Sequence, residues 1–330
     1  MPEIRQDPTT REWVIIATER AKRPHEFTSL SSAADQASRS CVFCRGNESQ
    51  TPPEVWRLEG NGQWRIRVVG NKFPALSSKA TATRYETPPF YRSMDGFGYH
   101  EVIVETPEHD QTLASMQEDE LVDVLLTYRE RYLALKTDPR VKLVLIFKNY
   151  GERAGSSIAH PHSQVVATPI IPGHIRRKYE VAVQHYDDTG RCLYCEIVEA
   201  EDRHGQRVVY RSDQFLVFEP YASRFPFETW IAPFTHNASF GKTTNEELRE
   251  LARVLGVTLR RLHRALDDPH FNLVIHTAPV EDELQAYFLW HVEITPRITT
   301  PAGFELGSGI LVNPCVPEEA AEFLRDTCLC

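Results

Sequence analysis

Two cysteine pairs with the spacing C-x-x-C are the first residues in this sequence that could do chemistry. Cys41 and Cys44 form one pair, Cys192 and Cys195 form the other, and nearly half the chain separates them. In a reducing compartment this spacing favours metal ligation or redox work over a structural disulfide. We therefore predict metal-binding cysteines in both halves of the chain.

Histidines downstream of each pair could complete a tetrahedral site, because structural zinc takes four cysteine or histidine ligands. In the first half, His109 and His160 are the best-placed partners of Cys41 and Cys44. Four protein ligands leave no open position, so zinc bound there would be structural. The alternative is that these two cysteines are small buried hydrophobic residues.

The second cysteine pair has three candidate partners, which are His236, His276 and His291. One tetrahedral ion needs only two of them, and we favour His236 and His291 beside Cys192 and Cys195. The alternative is that no metal binds in this half and that the histidines are core or surface residues.

A third motif places His162 and Gln164 directly after His160. Residues two apart on a strand point to the same side, so the three side chains would share one face. If a metal fixes His160, His162 is held beside it, and its imidazole can attack a phosphoryl-type group. Gln164 could donate a hydrogen bond to a non-bridging oxygen of that group. The alternative for His162 is a histidine that is satisfied within the core.

Two other segments could bind phosphate. The loop of residues 149–157 contains Gly155, Ser156 and Ser157, and such small residues let backbone N–H groups approach an anion. Arg20 and Arg23 could clamp phosphate, because the guanidinium fork binds it through two hydrogen bonds. The alternatives are an ordinary turn for the loop and a solvated basic turn for the arginines.

The elements around these motifs occur twice in the same order. Each half has a cysteine pair, a strand, a histidine, a helix, a strand and a histidine-bearing strand. We predict an α+β fold of two duplicated halves, each an antiparallel sheet with packed helices. Residues 1–175 form the half with the zinc site and the nucleophilic histidine, and residues 176–330 form the half with the second cysteine pair.

Each half is also predicted to contain one long helix. The first spans about residues 116–136, and Ser115 and Glu118 have the spacing of a capping box at its start. The second begins at Thr244 and Glu247 with the same spacing, and a stripe of leucines follows.

Composition narrows the classes of partner. The 330 residues are 41% hydrophobic and 25% charged, which is typical of a globular protein. The net charge of −9 argues against a nucleic-acid surface but is compatible with a small nucleotide. The longest apolar runs are far shorter than a membrane-spanning helix, and the N-terminus lacks the apolar core of a secretory signal. We expect no nucleic-acid or membrane partner and a cytoplasmic location.

Nearly the whole chain resembles galactose-1-phosphate uridylyltransferase and its relatives in the histidine triad superfamily. The most specific stretch is Gly155-Ser156-Ser157-Ile158-Ala159-His160-Pro161-His162-Ser163-Gln164. In that family the second histidine attacks the α-phosphorus of a nucleotide sugar, and the glutamine stabilises the nucleotidylated intermediate. The resemblance implies these roles for His162 and Gln164. It also carries the family's zinc ligands onto the four residues named above for the first half.

The resemblance further implies substrate contacts and a homodimer. The segment with Arg20 and Arg23 is similar to the family's arginine motif near the nucleotide phosphates. The segment Gly303-Phe304-Glu305 resembles the one that touches the sugar across a dimer interface, so Phe304 and Glu305 are expected sugar contacts. Residues that fall where the family contacts base, ribose and phosphates are Asn71, Lys72, Phe73, Asn149, Gly155 and Ser157.

Two departures from the family pattern bear on the chemistry. Where some members have a second His-x-His, this chain has Leu289-Trp290-His291. Where some members place a lysine for the sugar phosphate, this chain has Thr299, Thr300 and Pro301. Relatives with two C-x-x-C pairs include ADP-sugar phosphorylases.

The leading hypothesis from the sequence is a ping-pong nucleotidylyltransferase with bound zinc. It would exchange UMP between UDP-glucose and a hexose 1-phosphate through a covalent nucleotidyl group on His162. One alternative is an ADP-sugar or dinucleoside polyphosphate phosphorylase that uses the same histidine. A second alternative, from another class, is a non-catalytic zinc-stabilised protein that binds nucleotides.

Overall fold

The computed structural model describes residues 1–17 and 41–329. The described strands are β1 (Glu3–Gln6), β2 (Trp13–Ile16), β3 (Glu54–Gly60), β4 (Gln63–Gly70), β5 (Arg84–Thr87), β6 (Tyr91–Met94), β7 (Tyr99–Val104), β8 (Leu143–Tyr150), β9 (His162–Thr168), β10 (Val208–Arg211), β11 (Phe215–Phe218), β12 (Thr229–Pro233), β13 (Phe271–His276), β14 (His291–Pro296) and β15 (Leu311–Asn313). The described α-helices are α1 (Glu118–Leu135), α2 (Gly173–Thr189), α3 (Leu193–His204), α4 (Asn245–Ala265), α5 (Gly303–Ser308) and α6 (Pro317–Asp326). None of these helices combines the length and the apolar character needed to cross a membrane.

Ten strands form one antiparallel sheet that runs through both halves of the chain. Its order is β10-β11-β12-β14-β13-β8-β9-β7-β4-β3, so each half contributes five neighbouring strands. Outward from the centre, the first half runs β8, β9, β7, β4, β3 and the second runs β13, β14, β12, β11, β10. This matching order confirms the predicted α+β fold with duplicated halves. The two expected sheets are continuous because β8 and β13 pair with each other.

Alternation along β9 separates core residues from site residues. Val165 and Ala167 are buried in the main hydrophobic core, which also contains the apolar faces of α1 and α4. His162 and Gln164 alternate with these two residues along the strand and therefore lie on the opposite face of the sheet. The opposite face therefore carries the two predicted catalytic residues of the first half.

The strand β14 repeats this pattern in the second half. Val292 and Ile294 join the same main core, so His291 and Glu293 lie on the opposite face. That face is covered by α2 and α3, whose Tyr179 and Tyr194 are buried there in an apolar cluster. In the first half, the loop that carries the first cysteine pair packs on the corresponding face.

The long helix of the first half, α1, begins slightly later than predicted. Ser115 is not part of a capping box, because its hydroxyl accepts the Thr112 N–H at 2.9 Å and donates to the Thr112 carbonyl at 3.1 Å. The Glu120 carboxylate instead accepts the Gln117 N–H at 2.8 Å. A glutamine replaces the expected serine at the start of the helix.

The long helix of the second half, α4, begins as predicted. Glu247 accepts the Thr244 N–H at 2.7 Å, and the Thr244 hydroxyl accepts the Glu247 N–H at 3.1 Å. Its leucine stripe is buried in the main core. Both long helices therefore pack on the face of the sheet that does not carry His162.

The N-terminal strands lie with the second half rather than with the first. The strand β2 pairs in parallel with β15, with Val14 opposite Leu311, in a separate sheet of order β1-β2-β15. The predicted boundary between residues 175 and 176 falls inside α2. The division into residues 1–175 and 176–330 stays a prediction about the repeat in the sequence.

Candidate active site and metal centres

The four predicted ligands of the first half lie together. The ligand atoms of Cys41, Cys44, His109 and His160 are all within 4.8 Å of one another. The Cys44 sulfur is 3.3 Å from His109 Nδ1 and 3.5 Å from His160 Nδ1. Zinc binds such donors at about 2.0–2.3 Å, which puts two donors of one ion about 3–4 Å apart. The group has the composition and the spacing of a tetrahedral Cys₂His₂ site.

The proton position on His160 also suits a metal. Its Nε2 is 2.7 Å from the Thr106 carbonyl, which can only accept, so Nε2 carries the proton and Nδ1 presents a lone pair to the cysteines. The side chain is buried, and burial lowers the pKa of His160 to about 4. Burial also raises the pKa of the Cys44 thiol to about 11, so a thiolate here would need a nearby cation. The donor set therefore fits a divalent ion such as zinc.

His162 is oriented by the backbone next to this group. Its Nδ1 is 2.8 Å from the His160 carbonyl, so Nδ1 donates its proton there and Nε2 keeps a free lone pair. The side chain is 9% exposed, and burial lowers its pKa, which favours the neutral ring. The Phe43 ring, from the loop between the two cysteines, lies 5.4 Å from the His162 ring. The cysteine loop and the carbonyl of the predicted metal ligand His160 thus hold His162 in place.

A buried ion pair supports the backbone of His162 from the core side of the sheet. The Lys148 ammonium donates to the His162 carbonyl at 3.1 Å and to the Glu105 carboxylate at 2.6 Å. The Tyr128 hydroxyl also donates to Glu105, at 2.8 Å. Sequence reasoning missed Lys148 and Glu105. A lysine within an otherwise apolar strand was the available signal, because a buried lysine needs a partner.

Gln164 lies further along the same face and contacts His100 of β7. The distance from Gln164 Oε1 to His100 Nε2 is 2.7 Å, and Asn71 Nδ2 is 3.1 Å from the same histidine nitrogen. Asn71, one of the predicted substrate contacts, is therefore close to the predicted catalytic glutamine. Sequence reasoning also missed His100, because only the pairing of β7 with β9 brings it to Gln164.

The predicted phosphate loop already uses two of its backbone N–H groups, because Gly155 donates to the Glu152 carbonyl at 2.9 Å and Ser156 donates to the Gly151 carbonyl at 3.2 Å. Gly155 has a φ of 89°, a left-handed conformation that favours glycine. Asn149 Oδ1 accepts from Asn272 Nδ2 at 2.8 Å, so a residue of the second half positions it. Ser157 is exposed, whereas the Ser156 hydroxyl donates to the Ile158 carbonyl at 2.9 Å. Ser157 is therefore more available to a substrate than Gly155 or Ser156.

The remaining predicted substrate contacts lie elsewhere. Lys72 and Phe73 are exposed beside Asn71. Phe304 and Glu305 lie on α5, where Glu305 helps to line a cavity of about 210 Å³ made by residues of the second half. That cavity does not include His162 or Gln164. Arg20 and Arg23 lie outside the described residues.

The second cysteine pair is joined by one histidine. The ligand atoms of Cys192, Cys195 and His236 lie within 4.8 Å of one another, and the Cys195 sulfur is 3.2 Å from His236 Nδ1. No further His, Cys, Asp or Glu in the described part of the chain joins them within that distance. These donors fit a metal with three protein ligands.

The prediction that His291 completes this second group is corrected by the structure. Its Nδ1 is 3.0 Å from the Leu289 carbonyl, and its ring stacks 4.5 Å from Trp230 and 4.8 Å from His276. His162 Nδ1 makes the same contact with the carbonyl of His160, two residues earlier. His291 therefore occupies the position of His162 in the repeat. Leu289 occupies the position of the predicted metal ligand His160.

Comparisons with known proteins agree with this architecture. The model of the galactose-1-phosphate uridyl transferase N-terminal domain matches residues 1–172, and a domain of unknown function matches residues 108–327. ADP-glucose phosphorylase of Arabidopsis thaliana is 34% identical over 99% of this chain and 93% of its own length. Galactose-1-phosphate uridylyltransferase of Thermotoga maritima is 29% identical over 99% of both chains.

A solved structure shows the same fold over the full length. The crystal structure of an ADP-glucose phosphorylase from Arabidopsis thaliana with bound ADP-glucose superposes with a TM-score of 0.85. It is 31% identical in sequence and covers 100% of each chain. The chain belongs to the galactose-1-phosphate uridylyltransferase family, a family of nucleotidyltransferases. The resemblance inferred from the sequence motifs is thereby confirmed.

Proposed function

We propose that this protein transfers a nucleotidyl group through His162. The observation that carries the proposal is the contact of His162 Nδ1 with the His160 carbonyl, which leaves Nε2 as a free nucleophile. Gln164 lies on the same face of the sheet, where its amide can reach the group that Nε2 attacks. The two side chains form the catalytic pair of the proposal.

The chemistry takes place in two displacements. In the first, His162 Nε2 attacks the α-phosphorus of a nucleoside diphosphate sugar, the bond to the sugar phosphate breaks, and sugar 1-phosphate leaves. In the second, an oxygen of the acceptor phosphate attacks the same phosphorus and releases His162. Each step exchanges one phosphate bond for another, and Gln164 would stabilise the charge on the non-bridging oxygens.

ADP-glucose is the proposed donor, and inorganic phosphate is the proposed acceptor. The 34% identity to an ADP-glucose phosphorylase and the match to a structure with ADP-glucose bound support this choice. The absence of a lysine at Thr299, Thr300 and Pro301 also favours an acceptor without a sugar. The products would be ADP and glucose 1-phosphate.

Exchange between UDP-glucose and a hexose 1-phosphate, the leading hypothesis from the sequence, is the second candidate. It is supported by the 29% identity to a galactose-1-phosphate uridylyltransferase and by the match to that enzyme's N-terminal domain. Both candidates use His162 and Gln164 in the same way. They differ in the base and in the acceptor.

Zinc is the proposed ion in the first group, held by Cys41, Cys44, His109 and His160. When bound it would supply a rigid cross-link between the cysteine loop and β9, with no open position for substrate. The second group, Cys192, Cys195 and His236, would hold a second ion with one position left to a ligand from outside the protein. The first group positions the nucleophile, and the second is far from it along the sheet order.

The proposed substrate contacts around the catalytic pair are grouped by what they would bind. Base and ribose would lie near Asn71, Lys72 and Phe73. The phosphates would lie near Asn149, Gly155, Ser156 and Ser157, with Arg20 and Arg23. Phe304 and Glu305 would contact the sugar in a homodimer, as the sequence resemblance implies.

Intact-protein mass spectrometry tests the proposal directly. The purified protein is mixed with ADP-glucose, with UDP-glucose or with a diadenosine polyphosphate, and then quenched. We expect an AMP adduct with ADP-glucose in the wild type and in His204→Gln, which alters an exposed histidine, but not in His162→Gln. A UMP adduct alone would favour the second candidate. The absence of an adduct with every donor would contradict covalent catalysis.

A further inference from the structure

A contact with the backbone fixes which ring nitrogen of His100 carries the proton. Its Nδ1 is 3.2 Å from the Ala75 backbone nitrogen, which carries a proton and can only donate. Nδ1 must therefore hold a lone pair rather than a proton. A histidine ring with one bare nitrogen is neutral and carries its proton on Nε2, so His100 Nε2 is a donor.

This donor fixes the amide of Gln164 in turn. His100 Nε2 is 2.7 Å from Gln164 Oε1, and a protonated nitrogen there requires the carbonyl oxygen, not the NH₂ group, to face it. The NH₂ group of Gln164 then points away from His100. A phosphoryl oxygen can only accept hydrogen bonds, so this NH₂ group is the end of the amide that can stabilise it.

The side-chain amide of Asn71 is also oriented by a hydrogen bond from the backbone. Its Oδ1 accepts the Phe73 N–H at 2.8 Å, which turns its NH₂ group toward His100 and Gln164. The 3.1 Å contact from Asn71 Nδ2 to His100 Nε2 joins two protonated nitrogens and is not a hydrogen bond. The His100 proton is therefore directed to Gln164 alone.

We propose that His100 is a positioning residue that holds the Gln164 amide with its NH₂ group toward the transferred phosphoryl group. The chain of contacts runs from the Ala75 N–H through the His100 ring to the Gln164 carbonyl. The proposal rests on the proposed nucleotidyl transfer through His162. It adds that the direction of a single amide is set by a residue that does not itself touch the substrate.

Single-turnover measurements of adduct formation test this role. In His100→Phe the ring shape is kept but the donor is lost, and the Gln164 amide can rotate. We expect the maximal rate of adduct formation to fall about tenfold to a hundredfold, with little change in the half-saturating donor concentration. His100→Gln can place a donor near the position of Nε2 and should recover part of the rate.

A double mutant separates positioning from a general structural effect. If His100 acts only through Gln164, His100→Phe should cause no further loss in a Gln164→Ala background. Tyr99→Phe is the matched control, because it removes a hydrogen bond of the same strand, from Tyr99 to Asp138, without touching Gln164. This control should react like the wild type.

The outcomes distinguish this inference from the proposed function. A wild-type rate in His100→Phe, or a further loss in the double mutant, would overturn the positioning role while His162 chemistry stands. ¹⁵N NMR of the histidine rings is expected to show His100 protonated on Nε2. A proton on Nδ1 would overturn the inference whatever the activity. The absence of any adduct in the wild type would overturn the proposed function and this role together.

Discussion

The two halves of the sheet carry the same histidine in two different settings. His162 and His291 each place Nδ1 against the carbonyl two residues earlier, at 2.8 and 3.0 Å. Beside His162 lies a neutral glutamine whose amide can face an anion. Beside His291 lies Glu293, a buried carboxylate that an anion would not approach. We therefore expect that an oriented imidazole alone is not sufficient for the proposed chemistry.

The two histidines also differ in how the surrounding face of the sheet is covered. His291 is 1% exposed, stacked against Trp230 and Tyr194 beneath α2 and α3. Burial alone would raise the pKa of Glu293, but the nearby Arg224 and His276 hold it well below its usual value. In the second half, the position that corresponds to Gln164 therefore belongs to a buried network of ionised side chains. We expect that network to stabilise the fold rather than to bind a substrate.

Removing one metal group at a time should give the largest contrast between the halves. Zinc contributes on the order of 10 kcal/mol to the folding of small zinc domains, and the first group braces His162. In Cys41→Ser/Cys44→Ser we expect loss of bound zinc and a fall in adduct formation of about a hundredfold or more. In Cys192→Ser/Cys195→Ser we expect loss of bound metal with adduct formation close to wild type. Metal analysis and mass spectrometry measure both, and equal losses of activity would contradict the contrast.

Neutralising Glu293 should show that its network serves stability. Its carboxylate is 3.1 Å from His276 Nε2 and also pairs with Arg224 and Lys178. Glu293→Gln leaves the buried Lys178 without its ion-pair partner and leaves Arg224 with Glu228 alone. We therefore expect the free energy of unfolding to fall by about 3–5 kcal/mol. Urea titration measures this change. The exposed Glu130→Gln is the control, and an equally small effect in both variants would contradict the structural role.

The reverse substitution in the first half should affect catalysis instead. Gln164→Glu introduces a carboxylate beside the expected position of the transferred phosphoryl group. The second half has a carboxylate, Glu293, at the corresponding position. We expect adduct formation to slow by about a hundredfold, because a hydrogen-bond donor is replaced by a repelling charge. Thermal unfolding should change little, since Gln164 is only partly buried. Undiminished adduct formation would remove Gln164 from the proposed mechanism.

Restoring the missing ligand of the second group should have the smallest effect. Leu289 is buried at the position that corresponds to the predicted metal ligand His160 in the first half. Leu289→His would give the second group a fourth donor, and we expect its metal to be released about tenfold more slowly to a chelator. Leu289→Met, a control of similar volume, should not slow release. Equal release from both variants would mean that position 289 does not face the metal.

Local spacing explains what could be predicted from the sequence. Cys41, Cys44 and His160 lie in short motifs whose geometry is local, and the structure brings them together as expected. The assignment of His291 to the metal is wrong because the sequence offers several histidines near the second cysteine pair. The motif Leu289-Trp290-His291 already places His291 opposite His162 in the repeat. The contact of His100 with Gln164 depends on the pairing of β7 with β9, which no local motif encodes.

The structure does not test several other expectations from the sequence. The basic segment with Arg20 and Arg23 lies outside the described residues. The homodimer and the cytoplasmic location stay predictions, as does the division into residues 1–175 and 176–330. The fold class was predictable because hydrophobic periodicity and the repeated order of motifs act over the whole chain.

Mapping the site of the covalent nucleotide tests the central claim most directly. The protein is incubated with ADP-glucose, digested under conditions that preserve phosphoramidate bonds, and sequenced by tandem mass spectrometry. We predict that the nucleotide is attached to His162 and that the peptide containing His291 is unmodified. Attachment to His291, or to any residue other than His162, would contradict the account of how the two halves differ.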